Sequence, residues 1–352
     1  MSAPVYTIRE YCVERLKRRR PILAFPFSKP EDHLVWRGKL RAALWREFGN
    51  MPERVPLSPR ILERKDCGHY IREKVIFKSE RWMWVPAWVL IPKKSPLKSK
   101  NGKLPGLLAA HGHGPDGKDN VIHETAGSRK RAALIKRLNY AYGLEAVRRG
   151  YAVIAPDWRT FGERRDPDNW VRSAYRDGCD VANHAVQYFG VHLLGLDVWD
   201  GLRAIDYLIS RPEVDGRRIG CLGLSFGGTM TTYLTAFDSR IRVACVSGYV
   251  STLKNAMDHR NGNFCGSQAM PNLATYGDIP DVVLLAAPRP LCVEIGAHED
   301  CFYSPDMKRA ARYVARGYRV LGIQDRLVID LFPGKHEFSG RKSWDWFEKW
   351  LA

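Results

Sequence analysis

A serine flanked by glycines is the residue best placed for nucleophilic chemistry. Residues 223–227 read GLSFG, which is the pattern G-x-S-x-G, and they lie between an apolar run at 217–225 and a helix predicted from about residue 226. A serine on a sharp strand-to-helix turn presents its hydroxyl away from the backbone, and the glycines avoid Cβ clashes there. The helix amides lie where negative charge would develop. We therefore predict Ser225 as a nucleophile.

A serine hydroxyl is a poor nucleophile without a base, and the base needs an acid to orient it. His336 follows the last apolar run, 326–332, and is the predicted base. Glu299 and Asp300 follow the preceding apolar run, 290–296. Asp300 is the predicted acid, and Glu299 remains the alternative. The chain order is therefore serine, acid, histidine, which differs from the order in chymotrypsin and in subtilisin.

Two backbone N–H groups could hold an oxyanion beside this serine. One is that of Phe226, and the second is predicted at His113, with Gly112 as the alternative, in the HGHG sequence that follows the run at 105–111. Glycines let the backbone approach a substrate closely. A rival interpretation makes His111 and His113 metal ligands, with His123, Glu124 and Asp116 as further candidates. No zincin motif accompanies them, so neither a metal nor any other cofactor is expected.

Short apolar runs alternate with amphipathic stretches along most of the chain. Strands are predicted at 71–77, 83–92, 105–111, 151–157, 217–225, 241–248, 290–296 and 326–332. Helices are predicted at 31–48, 129–149, 191–210 and 305–317, and from about residues 226 and 341. This alternation indicates an α/β fold with a mostly parallel central sheet and helices on both faces. Function in such sheets lies in the loops at the carboxyl ends of the strands, where the candidate residues fall.

Composition excludes several classes of protein. Of 352 residues, 45% are hydrophobic and 27% are charged, which is typical of a globular chain. The longest apolar runs, such as 282–287, are far shorter than the roughly 20 residues of a bilayer span. The eight cysteines form no C-x-x-C motif, and the N-terminus resembles no secretory signal, so a cytoplasmic location is expected. The net charge of +18 is spread along the chain without a nucleic-acid-binding motif.

Five segments together resemble the α/β-hydrolase superfamily, and within it the dienelactone hydrolase and acetyl xylan esterase-like group of serine esterases. They are LLAAHGHG (107–114), GYAVIAPDWRTFGER (150–164), VWDGLRAIDYLISRPEVDGRRIGCLGLSFGG (198–228), APRPLCVEIGAHED (287–300) and GKHEF (334–338). The resemblance covers roughly residues 70 to 352. It implies ester hydrolysis through an acyl-enzyme by Ser225, Asp300 and His336. Dienelactone hydrolases proper use a cysteine nucleophile, so their substrate is not expected here.

The resemblance also frames the expected domains. Residues 71–352 would form the catalytic domain, residues 1–70 a helical extension or cap, and residues 158–190 an insertion near the pocket. Aromatic residues on loops and insertions are candidate pocket walls: Trp158, Tyr249, Phe264, Phe302 and Tyr303. Such walls favour small esters with a short, acetyl-type acyl group.

A serine peptidase of the acylaminoacyl type on the same fold is the alternative function. The expected partner is a small-molecule ester, with no nucleic acid and no membrane. Homo-oligomerisation is left open.

Overall fold

A computed structural model describes residues 4–167, 178–259 and 264–352. The strands of these described residues form one nine-stranded sheet in the order β1-β2-β3-β5-β4-β6-β7-β8-β9. Their bounds are β1 Arg60–Asp66, β2 Tyr70–Lys78, β3 Trp84–Pro92, β4 Leu104–Ala110, β5 Ala152–Pro156, β6 Val214–Leu224, β7 Ile241–Ser247, β8 Leu291–Gly296 and β9 Leu327–Phe332. The three N-terminal strands pair antiparallel, and β4 to β9 run parallel. The predicted α/β-hydrolase fold is thus confirmed.

Helices cover both faces of this sheet. Their bounds are α1 Ile8–Arg18, α2 Asp32–Glu47, α3 Lys118–Val121, α4 Arg129–Arg137, α5 Tyr142–Arg148, α6 Cys179–Gln187, α7 Leu193–Ser210, α8 Phe226–Phe237, α9 Leu273–Tyr276, α10 Ile279–Leu284, α11 Ser304–Val320 and α12 Ser343–Leu351. Side chains of β4 show the two layers. Leu108 and Ala110 belong to the core containing α7 and α8, whereas Leu107 and Ala109 belong to the core containing α5 and α12. This alternation follows from the period of two along a strand.

The N-terminal 70 residues differ from the predicted helical cap. Strand β1 pairs antiparallel with β2, so the expected boundary at residue 70 falls inside the sheet. Every side chain of β1 is exposed, which leaves no apolar alternation to reveal a strand. Helix α2 buries Trp36 and Leu40 in the same core as β2 and β4. Strand β1 and helix α2 therefore belong to the same sheet and core as the strands that follow them.

Two predicted segments are divided more finely in the structure. The helix predicted at 129–149 is two helices, α4 and α5, separated at Asn139, whose φ of +47° lies in the left-handed region. The insertion predicted at 158–190 contains a short 3₁₀ turn, Gly162–Arg164, and α6, and its residues 168–177 lie outside the described part of the chain. Among the residues that are described, no helix is long and apolar enough to cross a bilayer.

Candidate active site

Ser225 occupies a strained turn between β6 and α8. Its φ of +62° and ψ of −119° are unusual for a residue with a side chain, and a conformation of this kind costs about 1–3 kcal/mol. Its N–H donates to the carbonyl of Ser247 at the end of β7, 3.0 Å away. Glycine is needed on both sides. An added Cβ would lie 2.5 Å from the Ala110 oxygen at Gly223 and 2.0 Å from the same oxygen at Gly227. The turn thus presents the serine at the sheet's carboxyl edge.

His336 lies at the same edge, in the loop that follows β9. Its ring covers Gly248, the residue after β7, where an added Cβ would be 3.1 Å from Cε1 and 3.3 Å from Nδ1. Ser225 is tied to Ser247 and His336 lies against Gly248, so both flank the end of β7. The loop is anchored by the buried carboxylate of Glu294, which accepts from the N–H of Gly340 at 3.0 Å. Burial raises the pKa of Glu294.

The carboxylate beside His336 is that of Glu299, the alternative, rather than that of the predicted Asp300. His336 Nδ1 lies 2.9 Å from Oε1 of Glu299, whose side chain is only 1% exposed. The same oxygen accepts from the N–H groups of Cys301 at 2.8 Å and Phe302 at 3.3 Å. These bonds curl the chain after β8 around the Glu299 carboxylate. Asp300 consequently lies outside, 56% exposed, with an oxygen 3.6 Å from Nζ of Lys335.

The loop that follows β4, residues 111–114, is the predicted oxyanion loop, and its contacts distinguish the two donors predicted there. The N–H of Gly112 donates to the hydroxyl of Tyr140 at 2.5 Å, so that hydrogen is already engaged. An added Cβ at Gly112 would lie 3.3 Å from Cβ of Ser225, which shows how closely the loop passes the serine. Within the described residues the N–H of His113 has no hydrogen-bond partner, and that of Phe226 opens α8 without one. Of the three candidate donors, His113 and Phe226 are therefore the two whose N–H groups no described residue engages.

His111 is a structural residue rather than a metal ligand. It is fully buried, its Nδ1 lies 2.8 Å from the Gly112 carbonyl, and its Nε2 accepts from the Trp158 N–H at 3.1 Å. Burial lowers its pKa to about 3, so the ring stays neutral. Among the other candidate ligands, Glu124 is paired with Arg72, and Asp116 with Arg131. The metal set considered for HGHG is therefore not brought together.

Three of the five predicted pocket aromatics form a chain that reaches the imidazole. The ring of Phe302 lies 5.8 Å from that of His336, Phe264 lies 5.5 Å from Phe302, and Tyr249 lies 6.0 Å from Phe264. Tyr303 is 42% exposed beside this chain. Trp158 does not join it. It is fully buried, and its Nε1–H donates to the His111 carbonyl at 3.2 Å, so it supports the oxyanion loop instead.

A second aromatic group, around the residue that follows Ser225, was missed from the sequence. Phe161 lies 5.4 Å from the ring of Phe226 and 5.5 Å from that of His113. His113 in turn lies 5.0 Å from Phe226. Phe161 belongs to the segment that follows β5 at the carboxyl edge of the sheet, and this position was the available signal.

A buried charge network holds that segment in place. Arg159 is 8% exposed, and its guanidinium donates two hydrogen bonds to the Asp200 carboxylate, at 2.9 and 3.1 Å. Although burial opposes it, the charges of Arg159 and Arg164 lower the pKa of Asp200 to about 2. Asp197 accepts from the Arg159 N–H at 2.8 Å, and burial, followed by the charge of Asp200, raises its pKa to about 8. Asp197 and Asp200 thereby position Phe161, because they hold Arg159, which lies two residues earlier in the same segment.

Known proteins share this architecture. A protein of Bacillus subtilis (strain 168) that carries the provisional name hydrolase YtaP is 28% identical over 276 residues, which are 75% of this chain and 81% of YtaP. A provisionally assigned acetyl xylan esterase from Bacteroides fragilis NCTC 9343 has a TM-score of 0.76 at 21% identity, covering 94% of this chain and 83% of its own. A glucuronoyl esterase from Solibacter usitatus has a TM-score of 0.65 at 16% identity, covering 98% and 97%.

One family model covers most of the chain, and the features described above lie within it or next to it: the serine turn, the parallel sheet and the paired imidazole and carboxylate. The model of the Abhydrolase family matches residues 6–329, which include β1 to β8 and the serine turn. This chain therefore belongs to the Abhydrolase family of hydrolases.

Proposed function

We propose that this protein is a serine carboxylic-ester hydrolase in which Ser225, His336 and Glu299 form the catalytic triad. The observation that carries the proposal is the 2.9 Å contact between His336 Nδ1 and the buried Glu299 carboxylate, at the strand edge where Ser225 lies half-buried on its turn. That contact leaves Nε2 of the imidazole to act as base, since Nδ1 is engaged.

The proposed reaction proceeds in two halves. His336 Nε2 takes the Ser225 proton as the hydroxyl oxygen attacks the ester carbonyl, and the N–H groups of Phe226 and His113 hold the oxyanion. The imidazolium then gives its proton to the leaving alcohol, and the acyl group remains on the serine. Water, deprotonated by the same imidazole, attacks the acyl-enzyme, the bond from the acyl carbon to the Ser225 oxygen breaks, and the imidazolium returns its proton to that oxygen as the acid leaves. Glu299 stabilises the imidazolium in both halves, because it is buried beside Nδ1.

The substrate class proposed is small carboxylic esters with a short acyl group. Aromatic side chains lie near both the imidazole and the predicted oxyanion donors, and their apolar rings support this class: Phe302 lies 5.8 Å from His336, and Phe161 lies 5.4 Å from Phe226. The acetyl xylan and glucuronoyl esterases of similar fold support esters on carbohydrates as the natural substrates. A series of p-nitrophenyl esters from acetate to laurate tests the acyl preference. A rate optimum at octanoate or longer would refute it.

Replacement of the serine is the direct test of the function. Ser225→Ala should abolish p-nitrophenyl acetate turnover apart from the small residual rate that the oxyanion donors supply. Its circular dichroism and melting temperature should match those of the wild type, because the side chain is half-buried and small. Turnover by Ser225→Ala close to the wild-type rate would contradict the proposal. An aminoacyl-naphthylamide assayed in parallel separates the esterase from an acylaminoacyl-type peptidase, because only the peptidase should turn over the amide.

A further inference from the structure

A histidine and two cysteines from three separate segments converge beside the oxyanion loop. They are His113 in the loop after β4, Cys179 at the start of α6 and Cys265 in the segment before α9. Their ligand atoms all lie within 4.8 Å of one another, and Nε2 of His113 is 3.0 Å from Sγ of Cys265. The Cys179 thiol is hydrogen-bonded to both other members. The esterase mechanism uses none of these three side chains.

The backbone around the cluster is built to bring the two cysteines together. Gly266 N–H donates to the Asp180 carboxylate at 2.8 Å, which ties the segment of one cysteine to the helix of the other. An added Cβ at Gly266 would lie 2.5 Å from Cβ of Asn183 and 2.7 Å from the Cys179 carbonyl, so only glycine allows this approach. Cys179 is buried among Ala182 and Leu193, whereas His113 and Cys265 are partly exposed. The cluster is therefore pre-formed and open on one side.

We propose that His113, Cys179 and Cys265 form a binding site for a zinc ion. One imidazole nitrogen and two thiolates match the ligand preference of Zn²⁺, which takes sulfur at about 2.3 Å and nitrogen at about 2.0–2.1 Å. Tetrahedral angles then place the ligand atoms about 3.6–3.8 Å apart. The His113–Cys265 pair must open by about half an ångström to reach this spacing. Each thiol loses its proton to solvent as its bond to zinc forms.

The fourth position of the ion would be open on the exposed side and available to water. Three protein ligands and one water are a common zinc arrangement in proteins. The ion would also fix the imidazole ring of His113, whose backbone N–H is one of the two proposed oxyanion donors. This proposal departs from the expectation, drawn from the sequence, that no metal is involved. It differs from the set of HGHG neighbours considered there, because it recruits ligands about 70 and 150 residues further along the chain.

Cobalt binding tests the site without reference to activity. The full chain is treated with a chelator under reducing conditions, desalted and titrated with Co²⁺. The expected result is thiolate-to-cobalt charge-transfer absorption that saturates at about one equivalent and is displaced by Zn²⁺. Cys179→Ser and Cys265→Ser should each weaken the affinity by more than the roughly 10–100-fold cost of losing an outer-shell partner. Cys67→Ser, a partly exposed cysteine in the β1–β2 turn, is the matched control and should bind like the wild type.

Circular dichroism of each variant shows whether the fold is retained. A reduced wild-type protein with a native spectrum that binds no cobalt would overturn the proposal, and this result does not depend on any variant folding. Equal affinity of the wild type and both folded serine variants would also overturn it. A third result would also overturn it: reduced protein that takes up no metal, and that in air re-forms a Cys179–Cys265 disulfide seen by intact mass and peptide mapping. That result would assign the pair to redox chemistry instead.

Discussion

Replacement of Glu299 by Gln removes a buried negative charge from the proposed triad with little change in shape. The carboxylate is 1% exposed and lies 2.9 Å from His336 Nδ1, so the imidazolium formed during catalysis loses its counter-charge. Charges about 4 Å apart at an effective dielectric constant of about 20 interact by about 4 kcal/mol. Since about 1.36 kcal/mol corresponds to a tenfold change in rate, kcat should fall by about 10³. The KM should change little, because the charge develops only in the transition state.

Asp300→Asn is the matched control, because it makes the same chemical change one residue later. Asp300 is 56% exposed and faces Lys335, so its kcat/KM should stay within about twofold of the wild type. Steady-state hydrolysis of p-nitrophenyl acetate by both variants, with melting temperatures to confirm folding, gives the comparison. A Glu299→Gln enzyme that retains its rate while Asp300→Asn loses it would refute the assignment of the acid.

Three further predictions concern the surroundings of the site and the scaffold. Tyr140→Phe leaves the N–H of Gly112 buried without its acceptor, so the unfolding free energy in urea should fall by about 1–3 kcal/mol, with kcat lowered more than KM is raised. Gly227→Ala forces a Cβ to within 2.0 Å of a backbone oxygen and should cost about 3 kcal/mol or more in the same assay, whereas Gly38→Ala, with open space on α2, should gain about 1 kcal/mol. Burial raises the pKa of Asp197 from 3.8 to about 8, so the folded chain holds the carboxyl proton more tightly than the unfolded chain does. The unfolding free energy of the wild type therefore falls as pH rises from about 4 to about 8. Asp197→Asn should therefore gain stability relative to the wild type across that window, and a constant difference would contradict the assigned cause.

The serine turn and the core strands were predictable because their signals are local. A G-x-S-x-G sequence after an apolar run determines both the turn and its direction, and β4, β5 and β8 are buried on both faces and so appear as continuous apolar runs. Strand β1 gave no such signal, because all of its side chains are exposed. Pairing with β2, a tertiary contact, forms this strand.

The choice between two adjacent acids could not be made from the sequence. Both carboxylates follow β8, and only the hydrogen bonds from the N–H groups of Cys301 and Phe302 to Glu299 decide which side chain turns inward. The same limit applies to the pocket. Trp158 lies two residues after the carboxyl end of β5, where pocket residues are expected. Its backbone and indole N–H groups both donate to His111, however, and so the Trp158 side chain is held in the interior. Such non-local hydrogen bonds leave no periodic pattern along the chain.

Covalent trapping of the nucleophile tests the central claim most directly. The wild-type protein is incubated with a fluorophosphonate, digested and mapped by mass spectrometry. A triad built on Ser225 predicts one adduct, carried by the peptide that contains residues 223–227. Turnover of p-nitrophenyl acetate should fall in proportion to the labelled fraction and be lost completely at full labelling. Labelling of another residue with the same loss of turnover, or full esterase activity in a protein already labelled at Ser225, would contradict the account.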